Sequence, residues 1–260
     1  MSASVQKNSL TVIGIHKAPE NLSKREFDAK ARAFCDSLVA LPVVKKNFLS
    51  FDVIFQNSVL DEHMKELGWG EPQPCVIHIV ELETVEKFTE FLQDAAFQKL
   101  MTNTDDFALP SVSITFSADA VTRIDVPRSE HGSTATERAL WVGIYSGPGP
   151  ALSPHITQFQ ENVSATMDEY VALPVSQKNM LSHKVLTAND SAEATLQAHG
   201  YPNAEPAVVV MVEMENWDRA IEICEDAEIK RVTEKANQGF GLLVGAICFG
   251  ADVVSKIKKV

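Results

Sequence analysis

The sequence predicts an α+β protein built from two copies of one βαββαβ unit whose sheets close a single barrel within one chain. Three observations carry this. The stretch Val39-Ala40-Leu41-Pro42-Val43-Val44-Lys45-Lys46-Asn47-Phe48-Leu49-Ser50 returns as Val171-Ala172-Leu173-Pro174-Val175-Ser176-Gln177-Lys178-Asn179-Met180-Leu181-Ser182, with nine of the twelve positions identical. Strand and helix patterns follow one another in the same order around both copies. The third strand of each unit, Cys75 to Val80 and Ala207 to Val212, is apolar on both faces apart from His78. A sheet with one wet face would alternate instead, so each sheet must be covered on both sides, and the equivalent sheet of the other unit is the natural cover, packed face to face or curled into a shared barrel.

Leu10 to His16 is short, β-branched and bounded by Ala18-Pro19, the pattern of a strand. Ser23 and Glu26 form a capping box, after which Phe27, Ala31, Phe34, Leu38 and Leu41 recur at helical spacing up to Pro42. Phe48 to Phe55 is the second strand. Ser58 and Asp61 then open a short helix that Gly68 stops. Cys75 to Val80 is the third strand. Thr84 caps a second long helix with Val85, Phe88, Leu92, Ala95 and Leu100 inward, and Val112 to Phe116 is the fourth strand.

Residues 128–137 are polar, small and patternless, as a linker is. The same elements then recur. Leu140 to Tyr145 is a strand, Ser153-Pro154 opens a helix that runs to Pro174, and Leu181 to Thr187 is the next strand. Asp190 caps a short helix ending at Gly200. Ala207 to Val212 follows, Asn216 caps a second long helix with Trp217, Ala220, Cys224 and Ala227 inward, and Leu242 to Phe249 closes the sheet. The expected division is a first unit over 8–125, a linker over 126–139 and a second unit over 140–258.

Composition excludes several function classes. The 35 acidic residues outnumber 23 basic ones, a net charge of −12 with no Lys/Arg stripe, which repels phosphate backbones and anionic bilayers; nucleic acid and membrane are not expected partners. Cys35, Cys75, Cys224 and Cys248 show no CxxC spacing and sit in apolar segments, as buried free thiols of a reducing compartment do. The N-terminus lacks an apolar signal core, and the longest apolar stretch, Gly241 to Gly250, is about half a membrane span, so the expectation is a soluble, cytoplasmic protein. There is no Gly-rich phosphate loop, nucleophile elbow or HExxH run, and no pair of histidines at helical metal-site spacing; no metal is expected.

The order strand, helix, strand, strand, helix, strand is that of a ferredoxin-like unit. Doubled, and with the short helix after each second strand, it resembles the dimeric α+β barrel superfamily, and within it EthD-like domains, over about residues 10–120 and 140–255. In most relatives two chains make the barrel. Here one chain would make it alone, a monomer with pseudo-two-fold symmetry for which a further homodimer stays open. The resemblance implies a small-molecule pocket between each sheet and its helices, or inside the barrel. Members include cofactor-independent polyketide cyclases, monooxygenases, haem proteins and many proteins of unassigned activity. None of their catalytic motifs can be matched here residue by residue, so no catalytic residue is carried over.

The residues themselves nominate four candidates. His78 interrupts an otherwise apolar strand where the second unit has Val210, so the fold does not require it. A buried imidazole there suits a general base, a proton shuttle or a metal or haem ligand; the plainer account is a core histidine satisfied by a backbone carbonyl. His16 ends the first strand where Tyr145 ends its counterpart, and either could stand at a pocket mouth or simply be exposed. His183 occupies the place of Phe51, with a half-exposed strand position as the plain account. Glu81 and Glu213, and Asp119 and Asp252, are kept in both units and fit strand-end chemistry better than catalysis. The leading expectation is a small hydrophobic or aromatic, polyketide-like ligand in a mostly apolar pocket, its protons handled by His78, His16 or His183 without an organic cofactor. A haem protein with one of these histidines as axial ligand is the alternative, and a non-catalytic stress or scaffold protein is a third.

Overall fold

A computed structural model describes residues 4–5, 9–102, 113–126, 138–147, 154–202 and 207–259. Most of the expected linker, with His131, and the expected cap Ser153 lie outside them. The first half contains β1 (Ser4–Val5), β2 (Leu10–Lys17), α1 (Lys24–Ala40), α2 (Pro42–Asn47), β3 (Phe48–Asn57), α3 (Asp61–Glu66), β4 (Cys75–Leu82), α4 (Val85–Gln93), α5 (Ala95–Thr102) and β5 (Ser113–Asp125). The second contains β6 (Ala139–Ser146), α6 (Pro154–Ala172), α7 (Pro174–Asn179), β7 (Met180–Asn189), α8 (Glu193–Ala198), β8 (Ala207–Met214), α9 (Trp217–Glu225), α10 (Ala227–Phe240) and β9 (Ile247–Lys258).

The strands run β5-β2-β4-β3-β9-β6-β8-β7, and β7 returns to β5, so they close an antiparallel barrel; β1 adds two residues beside β5. The halves meet along two seams, β3 with β9 and β5 with β7. Asn57 Nδ2 donates to Asp252 Oδ1 at 3.0 Å across one seam, and Asn189 Nδ2 donates to Asp119 Oδ1 at 2.9 Å across the other. The matched aspartates therefore tie the halves together. Ile13, Ile54, Ile77, Phe116, Val142, Leu186, Val209 and Phe249 fill the barrel interior. The alternate residues of the same strands, such as Val53 and Val76 or Val208 and Val210, pack outward under the helices. That is why the third strands are apolar on both faces.

Most elements follow their local chemistry. The Ser23–Glu26 capping box forms as expected, with Ser23 N donating to Glu26 Oε2 at 3.0 Å. Leu41 and Leu173, each preceding a proline, are extended, so the chain stops one helix and starts another with proline at its first position.

Several expectations need correction. The second long helix of each half is two helices. Asp94 and Asp226 are extended, and each carboxylate accepts from two backbone N–H groups of the helix that follows, Ala96 and Phe97 or Glu228 and Ile229. This resets the helical phase: Ala95 and Ala227, expected inward, are exposed, and Phe97 and Ile229 are buried instead. Neither short helix has a side-chain cap at its first turn, so Ser58, Asp61 and Asp190 do not cap them. The closing strand begins at Ile247, because Gly241 and Gly245 at positive φ turn the chain through the apolar stretch before it.

The short helices stop as expected at Gly68 and Gly200, both at positive φ, and the next residue is aromatic in each case. Trp69 N donates to Met64 O and Tyr201 N to Leu196 O, which closes a Schellman turn and aims the aromatic away from its own half. Leu60, Met64, Leu67 and Trp69 of the first half join the core of the second. Ala192, Leu196 and Tyr201 of the second join the core of the first. Each half thus caps the other.

Candidate functional site

In the sheet of the first half, β2 lies between β5 and β4, and Gly14 is directly opposite His78. His16, two residues after Gly14, projects to the same face. A Cβ on Gly14 would lie 3.1 Å from His16 Nε2, so the missing side chain is what lets this imidazole fold back along its own strand. The two rings meet with centroids 4.5 Å apart at 52°. Phe34 lies parallel to His78 with centroids 6.3 Å apart, and Phe51 lies near-perpendicular to it at 5.5 Å. Cys35, on the buried side of α1, places Sγ 3.3 Å from His78 Nε2.

Burial sets the charge state of this cluster. Desolvation lowers His16 to about 4. His78 is held well below the usual histidine value by burial and then by the neighbouring His16, because two adjacent imidazoles resist sharing positive charge. Both rings are neutral at pH 7. Burial pushes the Cys35 thiol up to about 12, so Cys35 faces His78 as a thiol.

The rings form the polar part of a cavity of about 80 Å³ between the sheet and α1, α4 and α5, with walls that include Phe48, Phe88, Phe91, Leu92, Phe97 and Met101. Thr115 from β5 and Tyr201 from the second half complete it. Space of this size holds a few waters or a very small molecule; drug-sized ligands occupy roughly 300 Å³ or more. A haem does not fit between these residues as they stand, since His78 is enclosed by Phe34, Phe51 and Cys35. Among the described residues no group of three or more His, Cys, Asp or Glu side chains is placed to hold a metal ion.

The second half has the same layout with other contents. Tyr145 replaces His16, Met167 replaces Cys35, Tyr170 replaces Leu38 and Val210 replaces His78, leaving about 30 Å³. Gly143 repeats the role of Gly14: a Cβ there would lie 2.9 Å from the Tyr145 ring. Trp69 of the first half packs against Tyr145 at a steep angle, ring centroids 5.6 Å apart. The Tyr145 phenol is raised well above its usual pKa, first by burial. His183, for which a half-exposed position was one account, is 1% exposed. It faces the helices, burial lowers it to about 4, and its Nδ1 has no partner among the described residues.

The four nominated residues therefore form two sites. His16 and His78 share the first cavity, and His183 and Tyr145 share the second, narrower one. Two participants were missed. Cys35 has no sequence signal beyond that of a buried thiol, but its place one turn after Ala31 on the inner face of α1 aims it at the sheet. Tyr201 was missed because its partner surface belongs to the other half; the repeated pairs Gly68-Trp69 and Gly200-Tyr201 are the signal that could have found it.

No protein-family model matches the chain, and no curated protein matches it. Among solved structures, a candidate monooxygenase from Fusobacterium nucleatum superposes with a TM-score of 0.53 at 8% identity, covering 97% of this chain and 98% of that one. A candidate monooxygenase from Lactobacillus acidophilus gives a TM-score of 0.48 at 9% identity over 97% and 98% of the two chains. At 8% identity the first likeness establishes the fold alone, over nearly the full length of both chains. Fold and site together define a single-chain α+β barrel in which the cavity under the helices of the first half carries paired neutral imidazoles and its counterpart in the second half is largely filled.

Proposed function

We propose that the protein binds a small, neutral, mostly apolar molecule in the cavity of the first half and moves a proton on it with His16 and His78. The observation that carries this reading is the pair of neutral imidazoles 4.5 Å apart in a wall that is otherwise almost wholly apolar. A polar pair that the second half dispenses with is not needed by the fold, and burying it costs stability that function can justify. The same reading takes the chain as two fused ferredoxin-like repeats, 8–125 and 140–258, of EthD-like type and working without an organic cofactor. It takes the protein as a cytoplasmic monomer. The second cavity is structural in this account.

The chemistry follows from the pKa directions. A neutral imidazole can accept a proton from an acidic C–H or O–H of the ligand, and the anion left behind would stabilise the imidazolium that burial otherwise disfavours. Because His16 and His78 cannot comfortably be charged together, one proton moves at a time. The low basicity of the pair returns that proton readily, which suits isomerisation, cyclisation or activation of an enol or phenol. Proton abstraction of this kind is compatible with the monooxygenase description of the Fusobacterium protein, although the reading does not rest on it. A ligand larger than the cavity would need Met101 or Tyr201 to move outward.

Native mass spectrometry of gently purified protein, compared with the denatured mass, tests binding and identifies the ligand. His78→Val, which installs the residue of the second half, should keep the fold and lower turnover of that ligand roughly 100- to 10,000-fold. Unchanged turnover in a folded His78→Val protein would refute the role of His78. A Soret band in the purified protein would replace this reading with a haem-binding one.

A further inference from the structure

We propose that Cys35 is a positioning residue whose S–H donates to Nε2 of His78, holding that ring in the tautomer with its proton on Nδ1 and so giving the cavity a hydrogen-bond donor. The inference rests on the reading of the first cavity as a ligand site, and it names the polarity of that site. Sγ and Nε2 are 3.3 Å apart, within reach of a sulfur hydrogen bond, and Cys35 is fully buried on α1. A buried thiol has one proton to place, and the bare nitrogen of a neutral imidazole is a far better acceptor than sulfur. The opposite arrangement, with Nε2–H donating to sulfur, would spend a good donor on a weak acceptor.

Three further facts point the same way. The raised thiol pKa keeps the proton on Cys35. Phe34, parallel to the His78 ring, and Phe51, near-perpendicular to it, restrain the ring from turning the other nitrogen to the thiol. Cys35 and His78 also occur as a pair: the equivalent positions in the second half hold Met167 and Val210, neither of which donates a proton. The thiol accompanies the histidine that it would orient.

A ligand class follows. With Nε2 engaged by Cys35, the nitrogen left to the cavity is Nδ1–H, a donor. The neighbouring neutral His16 supplies a proton acceptor. The complement is a neutral compound with an oxygen acceptor and an adjacent weakly acidic proton, such as an enolisable carbonyl compound. Neither imidazole is charged, so a carboxylate would enter without a counter-charge and is disfavoured.

The test is the tautomer itself, read in the full-length protein at pH 7 from long-range imidazole 1H–15N correlations, with His78 assigned by the signal lost in His78→Val. The expected result is a single Nδ1-protonated form. Cys35→Ala should shift it towards a mixture or towards the Nε2-protonated form, and Cys35→Ser, whose hydroxyl can also donate, should restore it. An Nε2-protonated His78 in the wild-type protein, or an unchanged pattern in Cys35→Ala, overturns the proposal without touching the binding reading. The wild-type spectrum alone decides if the variants fail to fold. Conversely, the expected tautomer in a protein that binds nothing would leave Cys35 orienting His78 and would refute the function.

Discussion

At the scale of single residues, the two glycines opposite the third strands make a clear prediction. Gly14→Ala and Gly143→Ala add the same methyl group, but the neighbours differ. Next to Gly14 the ring of His16 has a cavity to move into, whereas the Tyr145 ring next to Gly143 is enclosed by Trp69 and the second core. Urea unfolding should show Gly143→Ala to be the more costly, by about 1–3 kcal/mol, and Gly14→Ala to be milder. Equal losses would mean that Tyr145 has room the structure does not give it. The histidines that desolvation holds neutral, His183 fully buried and His16 partly so, make a second prediction. His16 and His183 each have a native value of about 4, against an ordinary 6.5. As pH falls below 6.5 the unfolded chain takes up protons that the native state refuses, so stability present above that value is lost towards pH 4. For His183 the full loss is about 3 kcal/mol. His183→Phe, the residue of the first half, should flatten the pH dependence of the urea midpoint over this window; an unchanged slope would refute the burial of a neutral ring. The sequence exposed the two histidines of the first cavity through two comparisons between the halves, His78 against Val210 and His16 against Tyr145. It could not expose their contact, which depends on strand register and on the space left by Gly14.

At the scale of elements, the aspartates that split the second long helices are the main departure from periodicity. Apolar spacing alone carries Val85 through Leu100 as one helix, because the stripe shifts by too little to break the pattern. What decides is the competition of a short carboxylate for backbone N–H groups, and its outcome depends on where the following helix can pack. Asp226→Ala and Asp94→Ala should each cost about 1 kcal/mol in chemical unfolding, with Asn replacements nearly neutral. Loss confined to Asp226 would mean that α5 is held by Phe97 alone. Other elements were readable because the signal was local: the capping box of α1, the prolines after Leu41 and Leu173, and the stop glycines Gly68 and Gly200.

At the scale of the whole molecule, the barrel is legible from the two-sided apolar strands, but its seams are not, because nothing local in Asn57 or Asp252 names a partner at the far end of the chain. The seams predict that two fragments separated between residues 126 and 139 will copurify as a heterodimer with native-like circular dichroism. The first fragment alone should self-associate, since it would expose the face led by Ile13, Ile54, Ile77 and Phe116. A monodisperse, folded monomer of that fragment would refute the shared interior. The exchanged aromatic caps have a further consequence for what such a molecule can become. When two identical chains form a barrel, every substitution is made twice, and a residue that seals one chamber seals its twin. Within one chain Trp69 and Tyr201 can be chosen separately, so one chamber can be closed for rigidity while the other stays open to guests. The asymmetry is a freedom that a pair of identical chains does not possess.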